Sequence, residues 1–207
     1  MDAYVALRGA IITGALQPNE RLVEDQLAQS LGVGRAAVRN ALIRLEQERL
    51  IEHERNRGAR VRLVSVDEAL EILEARRALE ALTAGRAAEQ VTKAEARTLR
   101  GALADMHALL DKGDLIAASD ANAAFHRQIV EIARNETVKR LLHSLNSQMV
   151  RFQYRTILVP KRAGRSYEEH SAIVEAVCAG DARGAERAMR RHLTNVEAAL
   201  RQAGPTP

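Results

Sequence analysis

Three of the six histidines fall on apolar faces of predicted helices, where imidazole side chains could bind a metal ion. His126 lies at the edge of one apolar stripe, four residues after Asn122. His170 and His192 lie within the stripes of two later helices. Three histidines and an amide oxygen suit Zn, Ni, Co, Mn or Fe(II). The alternative is three separate core histidines, because helical periodicity does not show whether the side chains converge.

A fourth polar residue, Arg76, also lies on a predicted apolar stripe. The stripe residues are Ile72, Ala75, Leu79 and Leu82. An inward arginine requires a carboxylate or phosphate partner. Two partners fit: Glu80, one turn later on the same helix, or an anionic ligand.

Two arginines four residues apart, Arg35 and Arg39, mark a second candidate site. They lie in segment 27–50, whose pattern indicates a short helix, a tight turn and a longer helix. The predicted buried face of the longer helix consists of Val38, Ala41, Leu42 and Leu45. Arginine contacts guanine edges and phosphates, which favours a DNA-binding helix-turn-helix. The alternative is an ordinary helical hairpin with a solvated basic face.

Two short alternating segments, 50–55 and 59–63, predict a β-hairpin after these helices. Between them stand Asn56, Arg57 and Gly58, a turn in which glycine can take positive φ. An arginine at such a tip can enter a minor groove. Together with a helix predicted over 2–16, this pattern predicts a winged helix-turn-helix with Arg57 and Gly58 at the tip of the wing.

The second half of the chain is predicted to be almost wholly helical. It opens with a capping box at Ser65–Glu68, and two further boxes follow at Thr92–Glu95 and Ser166–Glu169. A loop is predicted from Pro160 to Gly164. The predicted fold is therefore mostly α, in three segments: a winged helix-turn-helix at 1–64, an all-α antiparallel bundle of about six helices at 65–203, and a tail at 204–207.

Composition excludes several classes of protein. Aromatic residues make up only 2% of the chain, which argues against RNA or single-strand binding by base stacking. One cysteine excludes an internal disulfide, and the net charge of +4 is compatible with a nucleic-acid partner. No apolar run approaches the roughly 18–20 residues of a membrane span, and no signal segment is present. We therefore expect a cytoplasmic protein with no membrane partner.

Several motifs together resemble one family of regulators. The stretch RLVEDQLAQSLGVGRAAVRNALIRLEQERLI, followed by NRGARV, is similar to the DNA-binding domain of GntR-type bacterial transcription regulators. The second half resembles the ligand-binding FCD domain of the FadR branch. The matching pieces are ARRALE (75–80), NAAFH (122–126), EEH (168–170) and GDARGAERAMRRHL (180–193).

The resemblance implies a homodimer that binds a palindromic double-stranded DNA operator. The DNA contacts that it implies fall on Arg35, Arg39, Arg57 and Gly58. Where many relatives have Ser-Arg-Thr-Pro, this chain has Gly34, Arg35, Ala36 and Ala37, so hydroxyl contacts with phosphates are missing. Asn40 replaces a common glutamate and could read adenine directly.

The resemblance also implies a divalent transition metal of the Zn, Ni or Mn class in the bundle. Its ligands would be Asn122, His126, His170 and His192, with Asn122 in place of the aspartate of many relatives. The neutral amide weakens metal binding and favours an anionic ligand. The implied effector is a small carboxylate beside the metal, with Arg76 as a helper.

These observations predict a metabolite-responsive transcription regulator, expected to be a repressor. One alternative is a metal-dependent hydrolase or isomerase that uses the three histidines. Against it, the nearest acid in sequence is Glu169, which we expect to point elsewhere. A further alternative is a DNA-binding protein with a metal-free pocket.

Overall fold

The computed structural model describes residues 2–54, 58–157, 159–160 and 162–203. Within these ranges the fold is mostly α, as predicted, with nine helices and a small sheet. The helices are α1 (Ala3–Thr13), α2 (Glu24–Leu31), α3 (Arg35–Gln47), α4 (Val66–Gln90), α5 (Lys93–Asp111), α6 (Leu115–Ile132), α7 (Glu136–Ile157), α8 (Arg162–Ala179) and α9 (Ala182–Gln202). The strands are β1 (Arg21–Leu22), β2 (Ile51–Glu54) and β3 (Gly58–Val61).

The chain divides into two compact units. The first comprises Met1–Ser65 and Asn146–Arg151, and the second comprises Val66–Leu145 and Phe152–Pro207. The predicted domain boundaries, 1–64 and 65–203, stay a prediction. The predicted tail, 204–207, lies outside the described residues.

In the first unit, α2 and α3 form the predicted helix-turn-helix. The buried side chains of α3 are Val38, Ala41, Leu42 and Leu45, each at most 2% exposed. They belong to an apolar cluster that includes Leu7 and Ile11 of α1. Gly32 ends α2 with a φ of +65°, a left-handed conformation that glycine adopts without steric cost. The tight turn between the helices therefore depends on this glycine.

The sheet has one strand more than the sequence predicted. Its order is β1-β3-β2, with antiparallel pairing throughout. The hairpin of β2 and β3 was predicted, whereas β1 pairs Arg21 with Arg60 and Leu22 with Ala59 on the outer side of β3. With two residues, β1 is too short to show the alternation by which a strand is recognised in sequence.

The second unit contains α4, α5, α6, α8, α9 and most of α7. The capping box of α5 is confirmed, because the Thr92 hydroxyl accepts from the Glu95 backbone and the Glu95 carboxylate accepts from the Thr92 backbone. The Asp181 side chain caps α9 by accepting a hydrogen bond from the backbone of Gly184. These local signals were readable in sequence because both partners lie within one turn.

The predicted start of α8 is wrong. The helix begins at Arg162, so the segment Ser166–Glu169 lies inside it and does not form its cap. Gly164 is accommodated in the first turn, where the sequence favoured a loop. As a consequence, Arg162 and Glu169 lie two turns apart on one helical face, and both are buried.

The buried face predicted for α4 is wrong in part. Ala75 and Leu82 are exposed, whereas Glu80 is only 1% exposed. This helix packs against α6, α8 and α9, so its buried face is wider than one apolar stripe and includes a charged residue.

Within the described ranges, the fully buried members of the main core cluster in the second unit are non-aromatic apart from Phe125. Phe125, Ile129, Ile173, Val177 and Met189 are each at most 1% exposed within one cluster. Among the described residues, no helix is both long and apolar enough to cross a membrane. The core lies between α4, α5, α6, α8 and α9, the helices that position the site described below.

Candidate metal centre and nucleic-acid interface

Three histidines from different helices meet inside the second unit. His126 of α6, His170 of α8 and His192 of α9 each offer one nitrogen, and these atoms lie within 4.8 Å of one another. All three residues are at most 6% exposed, and the ring centroids of His170 and His192 are 4.4 Å apart. Two nitrogens bound to one metal at about 2.1 Å lie at most about 4.2 Å apart. A small adjustment would therefore let the cluster hold a single ion.

The ring of His126 is held by a buried carboxylate of α4. Glu80 Oε2 lies 2.7 Å from His126 Nδ1, and Glu80 Oε1 accepts a hydrogen bond of 2.7 Å from Arg76 Nε. Burial by itself raises the pKa of Glu80, but the charge of Arg76 and the hydrogen bonds from His126 and Arg76 outweigh burial and hold that pKa well below its usual range. The ionised carboxylate therefore accepts from Nδ1–H of His126, which leaves the lone pair on Nε2.

The ring of His192 is held in the same way by Glu169 of α8. Glu169 Oε2 lies 2.7 Å from His192 Nδ1 and accepts a hydrogen bond of 2.9 Å from Arg162 Nη2. Its Oε1 accepts from Asn195 Nδ2 at 2.7 Å. The expectation that Glu169 points elsewhere is therefore wrong. With both oxygens accepting hydrogen bonds, Glu169 is suited to orient His192 rather than to act as a general base.

The third histidine, His170, contacts no hydrogen-bond partner. Neither of its ring nitrogens has one among the described residues, although the residue is 0% exposed. Burial lowers the pKa of His170 well below its usual value, and the neighbouring His192 and His126 lower it further. Burial likewise lowers the pKa of His192 well below its usual value. Both rings are therefore neutral near pH 7, the form that binds metals.

Asn122 contributes an unpartnered oxygen. It lies one turn before His126 on α6, and its buried Oδ1 accepts no hydrogen bond from the described residues. Leaving such an atom unsatisfied costs about 1–3 kcal/mol, which binding a cation would offset. Neutral imidazole nitrogens and an amide oxygen are donors that fit a divalent transition metal of the Zn, Ni or Mn class.

Arg76 has the carboxylate partner that the sequence offered as one of its two alternatives. Its ion pair with Glu80 is 2.7 Å long, and its side chain is 15% exposed. Because Glu80 in turn contacts His126, Arg76 belongs to the support of the histidine cluster. A direct contact between Arg76 and an effector stays a prediction.

Sequence reasoning missed Arg162 and the role of Glu169. Their spacing of seven residues places both on one helical face. A predicted helix that began at Arg162 instead of after Gly164 would have indicated this pair. The contact between Glu80 and His126 had no such signal, because these residues are 46 positions apart on different helices.

The candidate nucleic-acid interface is the outer face of α3. Arg35, Arg39 and Asn40 are all exposed there. Arg35 Nε lies 2.7 Å from Asp25 Oδ1, and Arg39 Nη2 lies 2.9 Å from Glu24 Oε2. Exposed ion pairs contribute only about 0–1 kcal/mol to stability. DNA phosphates or bases can therefore replace Asp25 and Glu24 as the partners of these arginines.

The predicted wing tip is described only in part. Arg57 lies outside the described residues, whereas Gly58 is exposed and begins β3 with a φ of +82°. This conformation favours glycine, in agreement with the turn predicted from the sequence.

Comparison with known proteins identifies both halves. Residues 2–61 match the family described as "Bacterial regulatory proteins, gntR family", and residues 71–195 match the FCD domain. The HTH-type transcriptional regulator LutR from Bacillus subtilis (strain 168) is 33% identical over 211 residues, which cover 92% of this chain and 95% of LutR. The chain belongs to the GntR family of bacterial transcription regulators.

Further comparisons agree with this assignment. The HTH-type transcriptional repressor GlaR from Escherichia coli (strain K12) is 28% identical, and the alignment covers 98% of this chain and 96% of GlaR. The solved structure of E. coli McbR/YncC has the same fold, with a TM-score of 0.81, 23% identity and coverage of 97% and 95% of the two chains. This GntR-family protein is therefore a DNA-binding transcription regulator and not an enzyme, which sets aside the hydrolase and isomerase alternative.

Proposed function

We propose that this GntR-family protein is a metabolite-responsive repressor that binds a palindromic operator as a homodimer and senses a small carboxylate at a metal ion. The observation that carries the proposal is the convergence of three buried histidines, together with the unpartnered oxygen of Asn122 one turn before His126 on α6. Because its proposed target is the operator DNA, we place the protein in the cytoplasm.

The metal would be held by His126, His170, His192 and Asn122. A bound divalent ion supplies positive charge that attracts a carboxylate oxygen. Glu80 keeps the ring of His126 oriented, and Glu169 does the same for His192. Burial keeps His170 and His192 in the neutral form that a cation requires.

The proposed effector is a small carboxylate because the metal ligands are neutral. Three imidazoles and an amide leave the full charge of a divalent ion inside the unit, where an anion is the natural counter-charge. Arg76 is proposed as a second contact for the effector carboxylate. Its guanidinium pairs with Glu80, which contacts His126, and it carries further N–H donors that Glu80 does not use.

DNA recognition is proposed to use α3 and the wing. In a dimer, two copies of α3 would enter successive major grooves about one helical turn apart. Arg35 and Arg39 would contact bases or phosphates, and Asn40 would read adenine. Arg57 and Gly58 would reach an adjacent groove. Effector binding would alter the packing of the FCD helices and thereby the spacing of the two DNA-binding domains of the dimer. The expected coupling free energy between effector binding and DNA binding is about 1–3 kcal/mol.

The metal site is tested by elemental analysis of purified protein. We expect about one divalent metal per chain in the parent protein and a loss of that metal in His126→Ala, His170→Ala and His192→Ala. The matched control is His107→Ala, which removes an exposed histidine of α5. Unchanged metal content in all three site variants would refute this site assignment, and a parent protein without metal would indicate a DNA-binding protein with a metal-free pocket.

The sensing function is tested with operator DNA. A thermal-shift screen of small carboxylates, with and without EDTA, should give hits that require the metal. The strongest hit is then titrated into the protein bound to its operator, and the affinity for DNA is measured. An operator affinity that stays constant at saturating effector would refute the proposed switch.

A further inference from the structure

Arg162 has an unusual environment for an arginine. The residue is only 7% exposed, at the first position of α8. Its Nη2 donates to Glu169 Oε2 at 2.9 Å, but its Nη1 is buried and has no hydrogen-bond partner among the described residues. Buried donors on a charged group are costly to leave unsatisfied, so Nη1 is a donor suited to an anionic acceptor.

The guanidinium of Arg162 is next to the histidine cluster. It shares one carboxylate oxygen, Glu169 Oε2, with Nδ1 of His192. Its positive charge also contributes to lowering the pKa of His170, after burial and the two neighbouring histidines. Arg162 and the metal-facing nitrogen of His192 are nevertheless distinct points, because Nε2 and Nδ1 are different corners of the imidazole ring and point in diverging directions.

A charge count around the cluster indicates what kind of anion fits. Glu80 is balanced by Arg76, and Glu169 is balanced by Arg162, each through a direct ion pair. Among the described residues, the cluster thus holds two buried acids, Glu80 and Glu169, and the two arginines that pair with them, Arg76 and Arg162. The cluster is therefore neutral, and a divalent ion on neutral ligands would leave two positive charges uncompensated.

We propose that the effector is a short dicarboxylate, with one carboxylate at the metal and the other accepting a hydrogen bond from Nη1 of Arg162. This inference rests on the proposed function. Two carboxylates match the two uncompensated charges of the metal. The two carboxylates would meet two separate cationic points, the metal on the His192 side chain and the Arg162 guanidinium beside the same ring. We expect a single compact dianion such as phosphate to face only one of them.

The test measures binding by calorimetry on the full-length, metal-loaded protein. The probes are succinate and glutarate, their monocarboxylate counterparts butyrate and valerate, and inorganic phosphate. Charge-assisted hydrogen bonds predict a preference for the dicarboxylate of about ten- to a hundredfold over the counterpart of equal chain length. Phosphate binding as tight as that of the better dicarboxylate would overturn the assignment.

Substitution of Arg162 isolates the second carboxylate. In Arg162→Gln we expect the dicarboxylate preference, a ratio of two affinities of the same variant, to fall to about one, while metal remains bound because His192 still donates to Glu169. Arg162→Lys keeps the charge without the planar fork and should retain part of the preference. The matched control, Arg77→Gln, removes an arginine that pairs with Glu197 and should keep the full preference.

Asn122→Asp gives an independent reading if Arg162→Gln does not fold. It adds one negative charge to the ligand set, so the preference for a dianion should fall by at least about threefold while metal affinity rises. An unchanged preference in Asn122→Asp, or a full preference in a folded Arg162→Gln, would overturn this inference and leave carboxylate sensing intact. If the metal-loaded protein bound no carboxylate at all, the proposed function itself would fail.

Discussion

Replacing Glu169 by glutamine should weaken metal binding although the residue is not itself proposed as a ligand. The carboxylate accepts hydrogen bonds from Arg162, His192 and Asn195. Glutamine has one acceptor oxygen and one donor nitrogen, so at least one of the three donors would face another donor. The orientation of the His192 ring would then be lost, together with the charge that balances Arg162.

The size of the effect follows from two separate terms. Losing the carboxylate partner of a metal-binding histidine lowers metal affinity by about 10–100-fold. At a metal concentration of about 100 times the parent Kd, the metal adds about 2.7 kcal/mol to the free energy of unfolding. At the same concentration, the variant would gain only about 0.4–1.4 kcal/mol. Leaving the buried Arg162 unpaired lowers the stability of the metal-free protein by about a further 3–5 kcal/mol.

The assay is denaturant unfolding of EDTA-treated protein at pH 7, with and without added metal. The decisive quantity is the difference between the two unfolding free energies, because a purely structural role of Glu169 would leave that difference unchanged. Glu197→Gln is the control, since Glu197 also accepts from two arginines but is not part of the histidine cluster. A metal-dependent gain of about 2.7 kcal/mol in Glu169→Gln would refute the argument that this residue positions His192.

Three further predictions concern DNA binding and packing. Arg39→Ala should lose about 1–3 kcal/mol of binding to the specific operator in a gel-shift titration, with an unchanged circular dichroism spectrum; retained specificity would count against α3 as the recognition helix. Glu24→Gln removes the acid that pairs with Arg39 and should raise affinity for non-specific DNA by up to about fivefold, whereas an unchanged or lower affinity would contradict a competing role of this pair. Gly85→Ala places a Cβ 2.8 Å from Glu186 Cγ and should destabilise by about 1 kcal/mol net, while Gly101→Ala, with open space around it, should stabilise by about 1 kcal/mol; equal effects in thermal unfolding would refute the packing argument.

Much of the secondary structure could be predicted because its signals are local. The capping box at Thr92 and the buried face of α3 around Val38 each depend on residues within a few turns. The errors arose where tertiary packing decides. Gly164 favoured a loop by its own propensity, but the structure continues α8 through it and buries Arg162. Ala75 followed the apolar period of α4, yet it is exposed because the packed face of that helix is set by its neighbours.

The sequence by itself determined which residues could do chemistry and on which helical faces they stand. The periodicity placed His126, His170 and His192 on apolar faces, because an inward position is a property of a single amphipathic helix. Their meeting within 4.8 Å was decided only by the tertiary structure, because it depends on how α6, α8 and α9 pack. The same packing brought Glu80 and Glu169 within hydrogen-bonding distance of the Nδ1 atoms of His126 and His192. Such contacts join residues that are far apart in the chain, and no local spacing encodes them.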